Sequence, residues 1–279
     1  MRNFNEAIGD IFFEYYFFIF ELHATNIYVY DDLGSCEECV REIINTLKEH
    51  ISDKYNIQRI NHRAIIQADW IQDTVLLVMP GGRAGPYAQR LNGEGNRIIK
   101  CYVEQGGAFL GICAGAYYAG SFVEFAKNTT IEVVGARELA LFAGTIVGPA
   151  LASYDYYSDS GARAASLNLH ELTINESRQE CVLYYNGGGY FKNASNTSNT
   201  AVLASYSALK PEQAAIIECQ VKDGVAILSG AHFEFPSHFL APILGESYYS
   251  LVELEKQRKN FVKQIFVRLR LELVKSWQE

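Results

Sequence analysis

The stretch Ala108-Phe-Leu-Gly-Ile-Cys113-Ala-Gly115-Ala-Tyr-Tyr118 decides how the rest of the chain is read. Ala108 to Ile112 has the length and apolar composition of a buried strand. It runs straight into Gly111-Ile-Cys113-Ala-Gly115, a glycine-x-nucleophile-x-glycine string, and then into helix-compatible sequence. The spacing has a steric reason. A nucleophile on a sharp strand-to-helix turn holds a strained backbone, and flanking residues without side chains let that turn close. The following helix aims its free N–H groups and positive dipole end at the sulfur, which favours thiolate over thiol. The same N–H groups, beginning with that of Ala114, can stabilise an oxyanion.

Working upstream, Thr74 to Met79 reads as a second buried strand, stopped by Pro80-Gly81-Gly82. A glycine loop at the end of a neighbouring strand can offer a second backbone donor to the oxyanion. Asn26 to Tyr30 reads as the first strand. Ser35 is placed to cap a helix whose Val40, Ile43, Ile44, Leu47 and Ile51 keep helical spacing. A helix over Asn96 to Glu104 closes at Gly106-Gly107. Strand and helix in alternation imply a parallel sheet with helices on both faces.

Downstream, Ala214 to Val221 and Val225 to Ser229 read as strands joined through Lys222-Asp223-Gly224, a hairpin signal. The centre, from Ile131 to Tyr206, is richer in Gly, Ser and Asn and shows no regular pattern. The last thirty or so residues read as one helix with Leu254, Phe261, Ile265, Leu269 and Leu273 as its apolar stripe. The expected organisation is an N-terminal extension over residues 1–25 and a single domain over 26–279 ending in that helix.

The net charge of -8, with no basic run, excludes an electrostatic nucleic-acid binder. Six cysteines in 279 residues do not make a disulfide framework, and a reducing, cytoplasmic setting is expected. Ile11 to Leu22 is apolar and aromatic, but Glu14 and Glu21 interrupt it and it is too short to span a bilayer. It lacks a basic region and a small-x-small cleavage site, so a packed extra helix is favoured over a weak signal-like segment. No membrane association is expected.

A cysteine nucleophile needs a base held by an orienting group. Of the six histidines, His232 has the context: Gly230-Ala-His232-Phe-Glu234 follows a predicted strand. Residues two apart in an extended segment share a side, so Glu234 can hold His232 in one tautomer. Cys36-Glu-Glu-Cys39 lacks a second ligand pair for zinc, and its acids oppose thiolate formation. Asn186-Gly-Gly-Gly189 lacks the helix start and downstream acid of a dinucleotide fingerprint. Neither a metal nor a cofactor is expected.

The order glycine loop, cysteine elbow, then Gly-x-His-x-Glu resembles class I glutamine amidotransferases. It is more closely similar to the biotin-protein ligase N-terminal family. The matching segments are MPGGRAGPY (79–87), QGGAFLGICAGAYY (105–118), VEFA (123–126), GPA (148–150), SGARAASLNL (160–169), YYNGGGYF (184–191) and GAHFEF (230–235). The resemblance implies an α/β fold of flavodoxin-like, amidotransferase-like type with a mostly parallel sheet. It implies Cys113, His232 and Glu234 as a triad, with oxyanion-hole amides from Gly82 and Ala114.

Two departures bear on activity. Active glutaminases usually carry Gln four residues after the cysteine, where this chain has Tyr117. No Gly-Arg-Gly-Arg adenylate-binding stretch is present, so biotin ligation by this chain is not expected. The leading expectation is a cysteine hydrolase acting on an amide or related acyl group of a small molecule or peptide. Arg83, Tyr117, Tyr154 and Asn186 are its candidate pocket residues. The alternative is a catalytically silent binding or regulatory module on the same scaffold, with the C-terminal helix available to a protein partner. A third reading, akin to the PfpI-type intracellular protease superfamily, would have Asp31 or Asp32 activate Cys113.

Overall fold

The computed structural model describes residues 24–170, 180–245 and 248–275. The expected extension over 1–25 lies outside them but for its last two residues. The first half of the chain alternates: β1 (Asn26–Tyr30), α1 (Glu37–His50), β2 (Asn56–Ile60), α2 (His62–Gln67), β3 (Thr74–Met79), α3 (Ala84–Leu91), α4 (Glu94–Glu104), β4 (Ala108–Ile112) and α5 (Ala114–Ala119). A run of strands follows: β5 (Gly120–Phe125), β6 (Val133–Ala136), β7 (Phe142–Gly148), β8 (Arg163–Leu169), β9 (Glu180–Tyr185) and β10 (Tyr190–Phe191). Then come β11 (Thr200–Tyr206), β12 (Gln213–Val221), β13 (Gly224–Ser229), α6 (Ala241–Leu244) and α7 (Tyr248–Arg268).

Strands β2-β1-β3-β4-β13 are joined by parallel pairings. The Lys222-Asp223-Gly224 turn, with Lys222 at φ 52, reverses the chain between β12 and β13 as the hairpin signal predicts. From there the sheet continues β12-β10-β7-β5-β6, antiparallel except for the β5–β7 pair, and β11, β8 and β9 branch from β12. The sheet is therefore mixed, where parallel pairing was expected to prevail. Parallel order stops where helical crossovers stop, because short connections can only return a strand antiparallel.

Side chains alternate across the parallel strands and build two cores. Ile27 and Val29, Leu76 and Val78, Leu110 and Ile112, and Val225 and Ile227 face α1 and α7. Leu77 and Met79, Phe109, Ala226 and Leu228 face α3, α4 and α5. This is the expected cover of helices on both faces.

Two local expectations are corrected. The N-cap of α1 is Cys36, not Ser35; the Ser35 hydroxyl instead donates to the Asp32 carbonyl, closing the loop after β1. The last helix stops at Arg268, Arg270 turns to φ 63, and Leu273 pairs with Ile51 as a short bridge. Leu273 thus leaves the helical stripe, and the described residues after Arg268 are not helical. Among the described residues, no helix is long and apolar enough to cross a membrane.

Candidate active site

The elbow forms where β4 ends. Cys113 sits at φ 49, ψ -100, a conformation L-residues rarely hold, and α5 begins at the next residue. The flanking glycines are required by contact. A Cβ on Gly115 would run into the Met79 carbonyl oxygen, and one on Gly111 would lie 2.8 Å from that of Gly115. The strained turn is held from both sides. The Cys113 N–H donates to Ser229 O at 2.8 Å, and its carbonyl accepts from the Tyr117 N–H at 3.0 Å.

The second part of the site grows from the neighbouring strand. Ser229 is paired with Ile112, so β13 ends level with β4 and passes directly into Gly230-Ala-His232-Phe-Glu234. The His232 N–H donates to Tyr184 O at 2.8 Å, which fixes this segment against β9. His232 Nδ1 lies 2.7 Å from Glu234 Oε1, with the residues only 3% and 0% exposed. The Cys113 sulfur is close enough to act electrostatically on the same imidazole. Burial alone would lower the affinity of His232 for a proton. The Glu234 carboxylate and the Cys113 sulfur outweigh it and carry the imidazole well above its ordinary value.

Two contacts that the sequence did not announce steady the His-x-Glu segment. Thr46 Oγ1 donates to Glu234 O at 2.9 Å, and Arg258 Nη1 donates to Phe233 O at 2.9 Å. Arg258 is 1% exposed, and Glu255 neutralises it at 2.5 Å. The Glu255-x-x-Arg258 spacing on a helix was the available signal. It was indistinguishable from a solvated surface pair.

Cys113 and Ala114 line a cavity of about 40 Å³, room for a water or two. All four candidate pocket residues, Arg83, Tyr117, Tyr154 and Asn186, line it as well, as does Gly82. The amide of Ala114, at the first helical position, has no intrahelical acceptor. That of Gly82 finds no backbone acceptor among the described residues. The Cys113 thiol donates to the Asn186 carbonyl at 3.7 Å, and the Tyr117 hydroxyl donates to Gly187 O at 3.1 Å. Phe125, Arg137 and Tyr156 also line it. Sequence reasoning missed them: Arg137 lies just after β6 and Tyr156 in the turn between β7 and β8, in stretches that showed no pattern.

The Cys36-x-x-Cys39 pair lies beside this site. Cys39, His232 and Glu234 offer ligand-type atoms within 4.8 Å of one another, although one Glu234 oxygen already holds His232. A hydrogen bond from Cys39 outweighs burial and brings the Cys36 thiol down to about 6, despite the acids between them. Asp31 and Asp32 are engaged elsewhere. Asp31 pairs with Arg59 at 2.8 Å, and Asp32 accepts from the His62 ring and from its N–H. The arrangement with an activating acid after the first strand is not found here.

With this geometry in place, the likenesses to known proteins can be set beside it. Residues 25–279 match the family described as biotin-protein ligase, N terminal. The chain is 35% identical over 221 residues to the biotin–protein ligase of Schizosaccharomyces pombe, covering 78% of this chain but 34% of that enzyme. An uncharacterized protein of Chlamydia muridarum is 36% identical over 221 residues, covering 78% of this chain and 83% of its own. The matched part thus spans about a third of the yeast ligase. Among solved structures, PurLQS from Thermotoga maritima superposes with a TM-score of 0.55 at 14% identity, over 88% of this chain and 99% of that one. A cytoplasmic protein of Salmonella typhimurium LT2 gives 0.50 at 13%, with the same coverage. The chain belongs to the biotin-protein ligase N-terminal family and has the class I glutamine amidotransferase-like fold.

Proposed function

We propose that this domain is a cysteine-dependent hydrolase or amidotransferase-type enzyme acting on an amide or related acyl group. The observation that carries this is the buried His232–Glu234 pair, 2.7 Å apart, delivered by the strand paired with the one that ends in the Cys113 elbow. Cys113 attacks the acyl carbon as thiolate, forming the C–S bond while the carbonyl electrons move to oxygen. The amides of Gly82 and Ala114 receive that oxyanion. Collapse expels the amine, which takes its proton from the His232 imidazolium, and the thioester is resolved by water deprotonated by His232. Glu234 keeps the imidazole in one tautomer. Biotin ligation is not part of this proposal, and the substrate is a small molecule or peptide amide.

The test is the pH dependence of Cys113 alkylation by iodoacetamide, read by peptide mass spectrometry in the parent and in His232→Ala. The expected result is a profile that moves to higher pH in the variant. Identical profiles would overturn the enzyme reading. They would favour the second reading, a binding or regulatory module, which the thiol's hydrogen bond to Asn186 O and the small cavity support.

A further inference from the structure

Five arginines of this chain are matched to acids: Arg41, Arg59, Arg97, Arg258 and Arg268 each meet a carboxylate. The two that line the Cys113 cavity are not. Arg83, on the loop leading into α3, rests over the Tyr156 ring at 5.8 Å, and no carboxylate pairs with it among the described residues. Arg137, just after β6, is half-buried. Its Nη1 donates to Ala136 O at 3.1 Å, while its Nε is buried with no partner. Burial pushes its guanidinium below the ordinary value without expelling its charge. A permanent cation that lines a cavity and has no carboxylate partner among the described residues is suited to be completed by an anionic ligand. In a chain of net charge -8 the match could have been internal. It is not.

We propose that the substrate of the Cys113 site is an acyl compound carrying an anionic group, carboxylate or phosphate, bound by Arg137 and Arg83, with its body against Phe125, Tyr154 and Tyr156. This rests on the reading of Cys113 as nucleophile and adds the substrate class. In this proposal the scissile carbonyl is taken by the Gly82 and Ala114 amides, and the anion by the guanidinium groups of Arg137 and Arg83. The cavity of about 40 Å³ holds little more than the reacting group, so the rest of the substrate reaches outward past the exposed Arg83.

The experiment compares two alkylating agents of nearly equal size, iodoacetate and iodoacetamide, on the full chain. Cys101, on α4 and outside the pocket, serves as internal reference. The rate ratio of iodoacetate to iodoacetamide at Cys113 is expected to exceed that at Cys101 by about tenfold. It falls to the Cys101 ratio in Arg137→Gln and drops partway in Arg83→Gln, whose exposed site keeps folding out of question. Equal ratios at the two cysteines, or a Cys113 ratio unmoved by both substitutions, overturn the proposal. If neither reagent labels Cys113, the nucleophile reading fails, and the anion site is decided separately by thermal melting with glutarate and with inorganic phosphate. A stabilisation by either that is lost in Arg137→Gln upholds the anion site and says which chemistry it takes. No stabilisation by either overturns it.

Discussion

Arg258 Nη1 donates to the carbonyl of Phe233, the residue between His232 and Glu234, at 2.9 Å. A cation on α7 thereby grips the backbone of the segment that carries both proposed partners of Cys113. The remaining guanidinium groups engage Glu255 at 2.5 and 3.0 Å, and Glu255 also accepts from the Ser237 N–H at 2.7 Å. Helix and loop are therefore locked at two points, and this positioning is separable from the chemistry.

Replacing Arg258 with Met removes the clamp and leaves the Phe233 carbonyl unpaired in the core. Breaking a buried pair costs about 3–5 kcal/mol. The melting temperature of Arg258→Met is expected to fall by about 10 °C. Its Cys113 alkylation profile should move to higher pH as His232 loosens. A variant that melts like the parent would show that the contact does not hold the segment.

Glu234→Gln keeps shape and removes charge. The imidazolium loses the carboxylate that helps raise its affinity for a proton, so at pH 7 less of it stands beside Cys113. Iodoacetamide labelling of Cys113 at pH 7 should drop by about tenfold. An unchanged rate would mean that Glu234 is structural only.

Gly115→Ala sets a methyl group against the Met79 carbonyl oxygen, which is backbone and cannot step aside. A core clash of this kind costs about 1–3 kcal/mol or more. The expected outcome is a lower thermal midpoint by circular dichroism together with loss of Cys113 labelling, since the elbow and the first turn of α5 move together.

Cys36 should be alkylated half-maximally near pH 6, and Cys39→Ala should move that midpoint up by removing the hydrogen bond that chiefly lowers it. The sign for stability follows from the same shift. The folded value lies below the ordinary 9.0, so the contribution is complete above pH 9 and is lost as pH falls through about 6. Coincident profiles for Cys36 and Cys101 would contradict this.

Acid stability offers an independent check on the loop after β1. Burial would raise the Asp32 carboxyl, but its bonds from the His62 ring and from the N–H groups of His62 and Leu33 hold it down at about 2. A depressed carboxylate stabilises the fold above the ordinary 3.8 and ceases to as pH falls through 2. Asp32→Asn should lower the melting temperature by a few degrees at pH 6 and by much less at pH 2. Equal losses at both would assign the effect to shape.

The parallel half of the sheet was legible because its strands, buried on both faces, are continuous apolar runs ended by Gly and Pro, as in Thr74 to Pro80 and Ala108 to Gly115. The elbow was legible for the same reason. Strands such as Val133–Ala136 are short and half exposed, so their composition resembles that of loops. Arg137 directly follows such a strand and Tyr156 lies in the turn before β8, and so that wall of the pocket escaped notice. Asn56–Ile60 was missed because Gln58 and Arg59 break its apolar character at an edge position. The end of the last helix was misjudged because Leu271 and Leu273 prolong an apolar rhythm that the backbone abandons at Arg270.

The bridge between Ile51 and Leu273 sets a direction for anything the polypeptide is joined to. Helix α1 places Cys36 beside the Cys113 site and His50 at its other end, 14 residues on, about 21 Å away along the axis. The tail is stitched down at that far end. The described tail is thus coupled to the Cys113 site along two routes, lengthwise through α1 and through the α7 residue Arg258 that holds the Phe233 carbonyl.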